Sequence, residues 1–591
     1  MHVLATAGHV DHGKSTLVRA LTGMEPDRYA EERRRGLTID LGFAWTTLED
    51  EVVALVDVPG HERFVTTMLA GIGPVPAALL VVAADGGWMP QSQEHLDALD
   101  ALGVRHGLLV VTRCDLADPA PALAVARERL ASTSLARVPD VAVSAATGAG
   151  MDRLRAALLR LVRSLPTPDP AAPVRLWVDR SFSITGAGTV VTGTLPAGRL
   201  RRGDRLHLPG HGEVTVRGLQ SLGGNAEEVR STARVAVNLR GVGRDEVRRG
   251  DALVTPGRFL ETALVDVRVR GTAAADLPVE CLLHLGSAGV TVRVRPLADD
   301  VARLRLTTPL PLRIGDVGLL RDPGRHLVLG GLTVLDVDPP ALRRRGAARQ
   351  RADVLATVSG EPDAAGELER RGLVRRDRLT ALGMPPEQVA ALARSVVGDR
   401  EWLLSPSRAE AARRALPAEV SAWARQNPLE EGMPVEAVRQ RLRLPSARLV
   451  AALVRPPLAV RDGRVVPGRP ADELPQHVRA GVDAVLADLA AAPYAAPEAH
   501  RLRDLGLGPR ELAAAVRTGA LARVGEAVYL APAAVASATE PLRALPQPFT
   551  LAQARKAWGT TRRVAAPLLQ HLDEQGATRR LPDDSRHLLR P

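Results

Sequence analysis

Two cysteines, two lysines and an aromatic fraction of 2% set the first limits on this chain of 591 residues. Cys114 and Cys281 cannot build a disulfide framework, which excludes a small stapled secreted scaffold and fits a reducing cytoplasm. With so few aromatic rings, the cores must be made from Leu, Val and Ala. The longest apolar runs, such as 77–84, are far too short to span a bilayer, so no membrane association is expected. The first residues already read as a strand, which leaves no room for a secretory signal. Among 78 basic residues only Lys14 and Lys556 are lysine, so an arginine bias has replaced nearly every exchangeable lysine. A lysine that survives this bias marks a place where a compact ammonium on a flexible stem is needed and a planar fork does not fit.

What is present is mostly ordinary. The hydrophobic fraction of 45% suits globular domains, and the length predicts about four to six of them. The net charge of +11 fits either a polyanionic partner or the arginine bias alone, and composition leaves both open.

The clearest motif is Gly8-His9-Val10-Asp11-His12-Gly13-Lys14-Ser15-Thr16, with the Gly-x-x-x-x-Gly-Lys-Ser spacing of a phosphate-binding loop. An apolar run, 2–7, precedes it and a helical pattern follows it, which is the context the motif needs. Glycines let backbone N–H groups turn toward phosphates, and the helix N-terminus adds positive potential. Lys14 would reach the outer phosphates and the Ser15 hydroxyl would ligate Mg2+.

Apolar strands are expected at 2–7, 38–45, 52–58, 78–84, 107–112 and 140–144, and helices at 15–21, 61–71, 92–102, 119–132 and 151–164. Continuous strands such as Leu79-Leu80-Val81-Val82 predict a sheet covered on both faces, hence a doubly wound α/β domain. Its loops carry the chemistry. Asp57-Val58-Pro59-Gly60-His61 ends a buried strand with an acid able to hold Mg2+ through water. The Gly60 amide can sense a γ-phosphate, and His61 can orient an attacking water. Arg33-Arg34-Arg35-Gly36-Leu37-Thr38 is a basic, glycine-hinged segment in which Thr38 can complete the Mg2+ shell, as a switch loop does. In Thr112-Arg113-Cys114-Asp115, the Asp115 carboxylate can accept from N1–H and the 2-amino group of guanine, which selects GTP over ATP. The Ser144-Ala145 turn would offer a backbone N–H to guanine O6.

The segments Gly8–Ser15, Gly36-Leu37-Thr38-Ile39-Asp40 and Asp57–Arg63 resemble those of translational GTPases of the elongation factor Tu type. The resemblance implies GTP/GDP and Mg2+ as cofactors, and it makes His61 a catalytic histidine engaged on the ribosome. It also places Val10 and Leu37 as an apolar gate beside His61. The guanine loop of that family usually reads Asn-Lys-x-Asp, and here it begins with Thr112-Arg113. Loss of the Asn carboxamide is expected to loosen the loop and weaken nucleotide affinity, so that the factor could recycle without an exchange partner. Thr at the first position resembles one branch, the selenocysteine-specific elongation factors.

Pro166-Thr-Pro168-Asp-Pro170 forms a stiff linker, after which short Val/Leu/Arg strands with Gly-Asp and Pro-Gly turns predict two β-barrels split near Pro256-Gly257. The stretches 186–204 and 313–321 look like the second and third domains of translational GTPases, which grip the acceptor end of an aminoacyl-tRNA. A selenol is ionised at neutral pH, so cationic donors would favour it over the hydroxyl of serine. The resemblance puts such donors at Asp179-Arg180 and Arg240.

Beyond residue 340 the pattern turns helical, and short apolar hairpins recur about every sixty residues, near 398–404, 461–466, 525–530 and 584–589. This predicts four tandem winged helices rather than an α-solenoid. Between Thr550 and Pro591 eight basic residues face four acids, for a charge of +4. Thr561-Arg562-Arg563 opens an expected recognition helix, Lys556 precedes it, and Arg579, Arg580 and Arg586 flank the wing, a distribution suited to an RNA hairpin. This tail is similar to the mRNA-binding module of selenocysteine-specific elongation factors.

The expected architecture is therefore an α/β P-loop GTPase domain at 1–168, β-barrels at 174–257 and 258–340, and winged helices at 350–416, 417–475, 476–540 and 541–591. The resemblance implies a cytoplasmic, monomeric GTPase that delivers selenocysteinyl-tRNA to the ribosome at UGA codons marked by an mRNA hairpin. Another translational GTPase, such as a general elongation or initiation factor, and a GTP-switched nucleic-acid-binding regulator are the alternatives.

Overall fold

The computed structural model describes residues 1–26, 38, 40–61, 64–73, 75–184, 188–325, 327–427, 430–467, 474 and 476–589. The chain divides into two units, Met1–Ala409 and Glu410–Pro591.

In the first unit the apolar runs form a six-stranded sheet in the order Gly42–Leu48, Glu51–Asp57, His2–Ala7, Ala77–Ala83, His106–Thr112, Asp140–Ala142. The first two strands pair antiparallel and the others parallel. Alternate residues of one strand serve opposite cores. Val3 and Ala5 pack with Met68, Leu96 and Leu99, whereas Leu4 packs with Leu17, Val18, Leu154 and Leu158. Helices Val65–Ile72, Pro90–Ala101 and Pro119–Leu130 thus cover one face, and Lys14–Thr22 and Met151–Ser164 the other. Two boundaries differ from expectation. The second strand starts at Gly42 rather than near Thr38, and the helix expected from residue 61 starts at Val65. At the first of these places, Thr38 turns to the phosphate loop, its hydroxyl 3.0 Å from that of Ser15.

The first β-domain is an eight-stranded sheet, running from Arg175–Trp177 at one edge to Arg180–Ile184 at the other, around a core of Leu176, Val191, Val216, Val237 and Leu253. The second is a closed barrel of the six strands Leu260–Arg270, Glu280–Leu285, Ala288–Pro296, Val301–Leu312, Val317–Arg321 and Val328–Asp336. Its far end is joined to the first helical module by buried ion pairs. Asp266 is fully buried and accepts from Arg303 at 2.7 and 3.0 Å and from Arg351 at 2.7 Å. Arg351 and Arg371 also share Asp336, at 2.5 and 2.7 Å.

Each expected wing is an antiparallel hairpin. The partners are Val397–Gly398 with Trp402–Leu404, Leu458–Arg461 with Arg464–Pro467, Ala522–Gly525 with Val528–Leu530, and Thr578–Arg580 with Arg586–Leu588. In the second unit, the helices from Gln476–Ala491 to Arg562–Glu574 share one apolar core. Tyr494 and Trp558 meet there with ring centroids 5.8 Å apart. No helix among the described residues is long and apolar enough to cross a membrane.

Removing one partner from a buried ion pair strands the other charge, at a cost of about 3–5 kcal/mol. Asp266→Ala is therefore expected to lower the melting midpoint of the transition that includes the closed barrel by several degrees. A differential scanning calorimetry trace unchanged from wild type would contradict this.

Candidate functional site

The phosphate loop lies between the end of strand His2–Ala7 and helix Lys14–Thr22, and its shape depends on backbone that only glycine tolerates. Gly8 adopts φ +134°, and a Cβ there would sit 2.2 Å from the Val81 carbonyl oxygen. Gly13 caps the helix in the left-handed region at φ 79°. Lys14 is buried, and its Nζ donates to the carbonyl oxygens of Gly8 at 3.0 Å and His9 at 2.8 Å. Burial lowers the Lys14 pKa to about 8, against the opposing pull of Asp57 and Asp11.

Three oxygens converge beside the loop. The Ser15 hydroxyl donates to Asp57 Oδ2 at 2.6 Å and lies 3.0 Å from the Thr38 hydroxyl. Asp57 is fully buried and also accepts from the Thr6 hydroxyl at 2.7 Å. A hard, all-oxygen set of this kind suits Mg2+ when phosphate and water oxygens supply the remaining positions. Gly60 approaches so closely that a Cβ would lie 2.5 Å from Lys14 Nζ and 2.6 Å from the Val10 nitrogen. The Asp57–Gly60 loop is thus laid against the phosphate loop, with no room for a side chain at the contact. His61 follows, half-buried, its ring 6.0 Å from that of Phe64. Residues 33–37, including the expected gate residue Leu37, lie outside the described residues.

The expected base-reading loops are adjacent, since the Cys114 N–H donates to Val143 O at 3.3 Å. Asp115 is exposed at their rim, and Ser144 is buried beside half-buried Ala145. Thr112, where the loss of the Asn carboxamide is expected to loosen this loop, is buried. Its hydroxyl donates to the His12 carbonyl oxygen at 2.7 Å and so still ties the base loop to the phosphate loop. Arg113, at φ 57°, reaches Asp85 at 3.1 Å. Burial lowers the pKa of His12 to about 4, which keeps that ring neutral.

At the first β-domain, Asp179 and Arg180 lie where the chain faces the GTPase domain. Arg180 pairs with Asp40 at 2.9 Å, and its guanidinium lies 5.6 Å from the Phe43 ring. Arg240 is corrected. It sits at the exposed end of strand Ala233–Arg240, opposite Thr215, about 20 Å along that strand from the cluster. The arginine that meets Asp179 is Arg234, which makes a two-pronged ion pair with it and stacks 3.8 Å from the Phe43 ring centroid. Phe43, Arg180, Phe182, Thr192 and Arg234 line a cavity of about 210 Å³.

On the last module, Lys556, Arg562, Arg579 and Arg580 are exposed, with Arg580 paired to Asp584. Two expected RNA contacts are otherwise engaged. The Arg563 guanidinium donates to the carbonyl oxygens of Ala496 at 2.8 Å and Pro497 at 3.4 Å. Arg586 is 9% exposed and bound to Asp573 at 3.0 Å. Thr561 occupies the N-cap position of helix Arg562–Glu574 but makes no side-chain cap bond, and the neighbouring Thr560 hydroxyl donates to Tyr494 O.

Four family models match the chain. They are the elongation factor Tu GTP binding domain at residues 1–164, elongation factor Tu domain 2 at 188–254, the β-barrel domain of selenocysteine-specific elongation factors at 266–341, and an elongation factor SelB winged helix at 541–588. A selenocysteine-specific elongation factor of Desulfomicrobium baculatum is 30% identical over 98% of both chains. That of Escherichia coli is 37% identical over 63% of this chain and 61% of its own length. The crystal structure of a bacterial selenocysteine-specific elongation factor, EF-Sec, superposes over 100% of both chains with a TM-score of 0.69 and 26% identity.

Nucleotide phosphates would stabilise the Lys14 ammonium and raise its pKa above the value of about 8 set by burial. The complex then holds more protons than the free protein, so affinity is constant below that pKa and falls as pH rises through it. Guanine nucleotide affinity, measured by titration calorimetry, is expected to drop about tenfold between pH 7 and pH 9. A flat profile over that range would remove the titrating lysine from the account.

Proposed function

Because the chain belongs to the family of selenocysteine-specific elongation factors, which are translational GTPases, we propose that it delivers selenocysteinyl-tRNA to the ribosome at UGA codons marked by an mRNA hairpin. Lys14 binds the outer phosphates, and the Gly60 amide reports the γ-phosphate. Ser15, Thr38 and Asp57 would hold Mg2+, which neutralises phosphate charge when bound. His61 orients the attacking water, Asp115 reads the guanine edge, Ser144 and Ala145 face O6, and Thr112 keeps that loop in register with the phosphates. The barrels carry the tRNA, and the factor works as a cytoplasmic monomer.

The observation that carries the amino acid reading is the cavity beside Arg180 and Arg234. Its volume suits a small side chain, and two guanidinium groups on its wall favour a selenolate over a neutral hydroxyl. The deciding experiment is competition between selenocysteinyl-tRNA and its seryl form for the GTP-loaded factor. Equal affinities would sink the specific reading and favour a general factor. Arg234→Ala is expected to cut the preference about tenfold or more, while Arg240→Ala leaves it within twofold.

RNA binding by the last module is supported by outward-facing Lys556, Arg562 and Arg579, and tethering there raises the local concentration of the factor beside one codon. Lys556→Ala and Arg562→Ala should weaken hairpin binding and flatten its salt dependence without moving the melting temperature. Arg586→Ala should do the reverse, because its partner Asp573 is inside the module. A filter-binding series paired with thermal melts separates the two behaviours.

A further inference from the structure

Helix Pro90–Ala101 presents two adjacent residues to two different partners. Glu94 pairs with Arg321 of the closed barrel at 2.9 Å. His95 is 2% exposed and faces the phosphate loop from behind, where its Nδ1 accepts the Gly8 N–H at 2.9 Å. Leu96 and Leu99, both fully buried, fix the rotation of the helix between these partners. Gly8 is thus confined on two sides. The Val81 carbonyl closes off the space a Cβ would take, and the imidazole holds its amide. The carbonyl oxygens of Gly8 and its neighbour His9 are the two that seat the Lys14 ammonium.

We propose that His95 is a positioning residue of the phosphate loop, its Nδ1 fixing the Gly8 peptide and through it the seat of Lys14. The role requires an unprotonated Nδ1, with the ring proton on Nε2. Burial, then the charge of Lys14, with smaller contributions from His9 and His12, lowers the His95 pKa to about 3, so the acceptor persists at neutral pH. The imidazole does not touch nucleotide. It acts through the loop, as groups that orient the residues in direct contact do.

The inference rests on this loop binding nucleotide, so wild-type protein holding fluorescent mant-GDP and mant-GTP is the control, and failure there would strike that premise rather than His95. Stopped-flow dissociation of both nucleotides is compared for His95→Asn, His95→Gln and His95→Leu in the full chain. The Asn Oδ1 stands close to the position of Nδ1, so Asn should stay within about threefold of wild type. Gln carries its acceptor one bond too far and Leu has none, so both should release nucleotide about tenfold faster or more. If Leu does not fold, as judged by circular dichroism, the contrast between Asn and Gln still decides. The proposal is overturned if Gln and Leu match wild type, or if a folded Asn variant is as impaired as Gln.

Discussion

The Asp57 carboxylate is the junction on which the GTPase half depends. A fully buried charge is tolerated only when its oxygens are occupied, and here two hydroxyls occupy them, Thr6 from the neighbouring strand and Ser15 from the phosphate loop. Thr6 in turn accepts the Val58 N–H at 3.2 Å, so one hydroxyl fixes both the end of one strand and the turn that follows the next. The register in which Ala5 stands opposite Val56 brings these groups together. Once Asp57 and Ser15 are joined, the turn that follows Asp57 lies against the phosphate loop, and Gly60 is pressed against Lys14. The geometry that can hold phosphate and metal therefore follows from satisfying one buried acid.

From this junction the contacts run outward to the barrels through arginine. Arg180 holds Asp40 and the Leu41 carbonyl, just ahead of strand Gly42–Leu48. Arg249 donates to the Thr67 hydroxyl at 3.0 Å and the Thr66 carbonyl at 3.2 Å, in the helix that follows His61. Arg321 holds Glu94, next to His95. Each guanidinium grips an element that borders the phosphate loop, and each is wholly or mostly removed from solvent. A displacement of any of these elements would strand a buried charge, so the barrels cannot be indifferent to what occupies the loop. Differential contacts of this kind are what a nucleotide-controlled carrier requires.

The parts legible in the sequence were those written as spacing. Glycines and acids at strand ends identify the nucleotide loops, because few residue types serve there. Alternating and continuous apolar runs identify the sheets, and the recurrence of short hairpins identifies the winged modules. Side chains whose meaning depends on strand pairing were not legible. Arg234 and Arg240 share a strand and, six residues apart, a face, so periodicity cannot say which of them meets Asp179. Pairing decides it, by bringing Arg234 opposite Thr194, two residues from the Thr192 hydroxyl that also serves Asp179. His95 gave only the weak signal of a lone histidine on an apolar helix face. Thr6 gave a better one, as a hydroxyl in an otherwise apolar core strand. The backbone partner of the Thr112 hydroxyl lies 100 residues upstream and is invisible in a four-residue motif.

The same distinction governs the positive charge. Arg303, Arg351, Arg371 and Arg586 contribute to the excess of 11, yet each is bound to a carboxylate inside the protein and offers nothing to a polyanion. An arginine bias suits this use, since a planar fork can grip two oxygens or bridge two chains where an ammonium holds a single point. Lys14 shows where the bias meets its limit. Its nitrogen lies between two carbonyl oxygens at 2.8 and 3.0 Å, with the Gly60 backbone closing the space above it, and a guanidinium does not fit. The pressure that turned surface lysines into arginines could not act there. Net charge is accordingly a poor guide to which basic groups this chain offers to a polyanion. Outward orientation is the better one, and on the last module it separates Lys556, Arg562 and Arg579 from Arg586, which is buried on Asp573, and from Arg563, whose guanidinium is taken up by the carbonyls of Ala496 and Pro497.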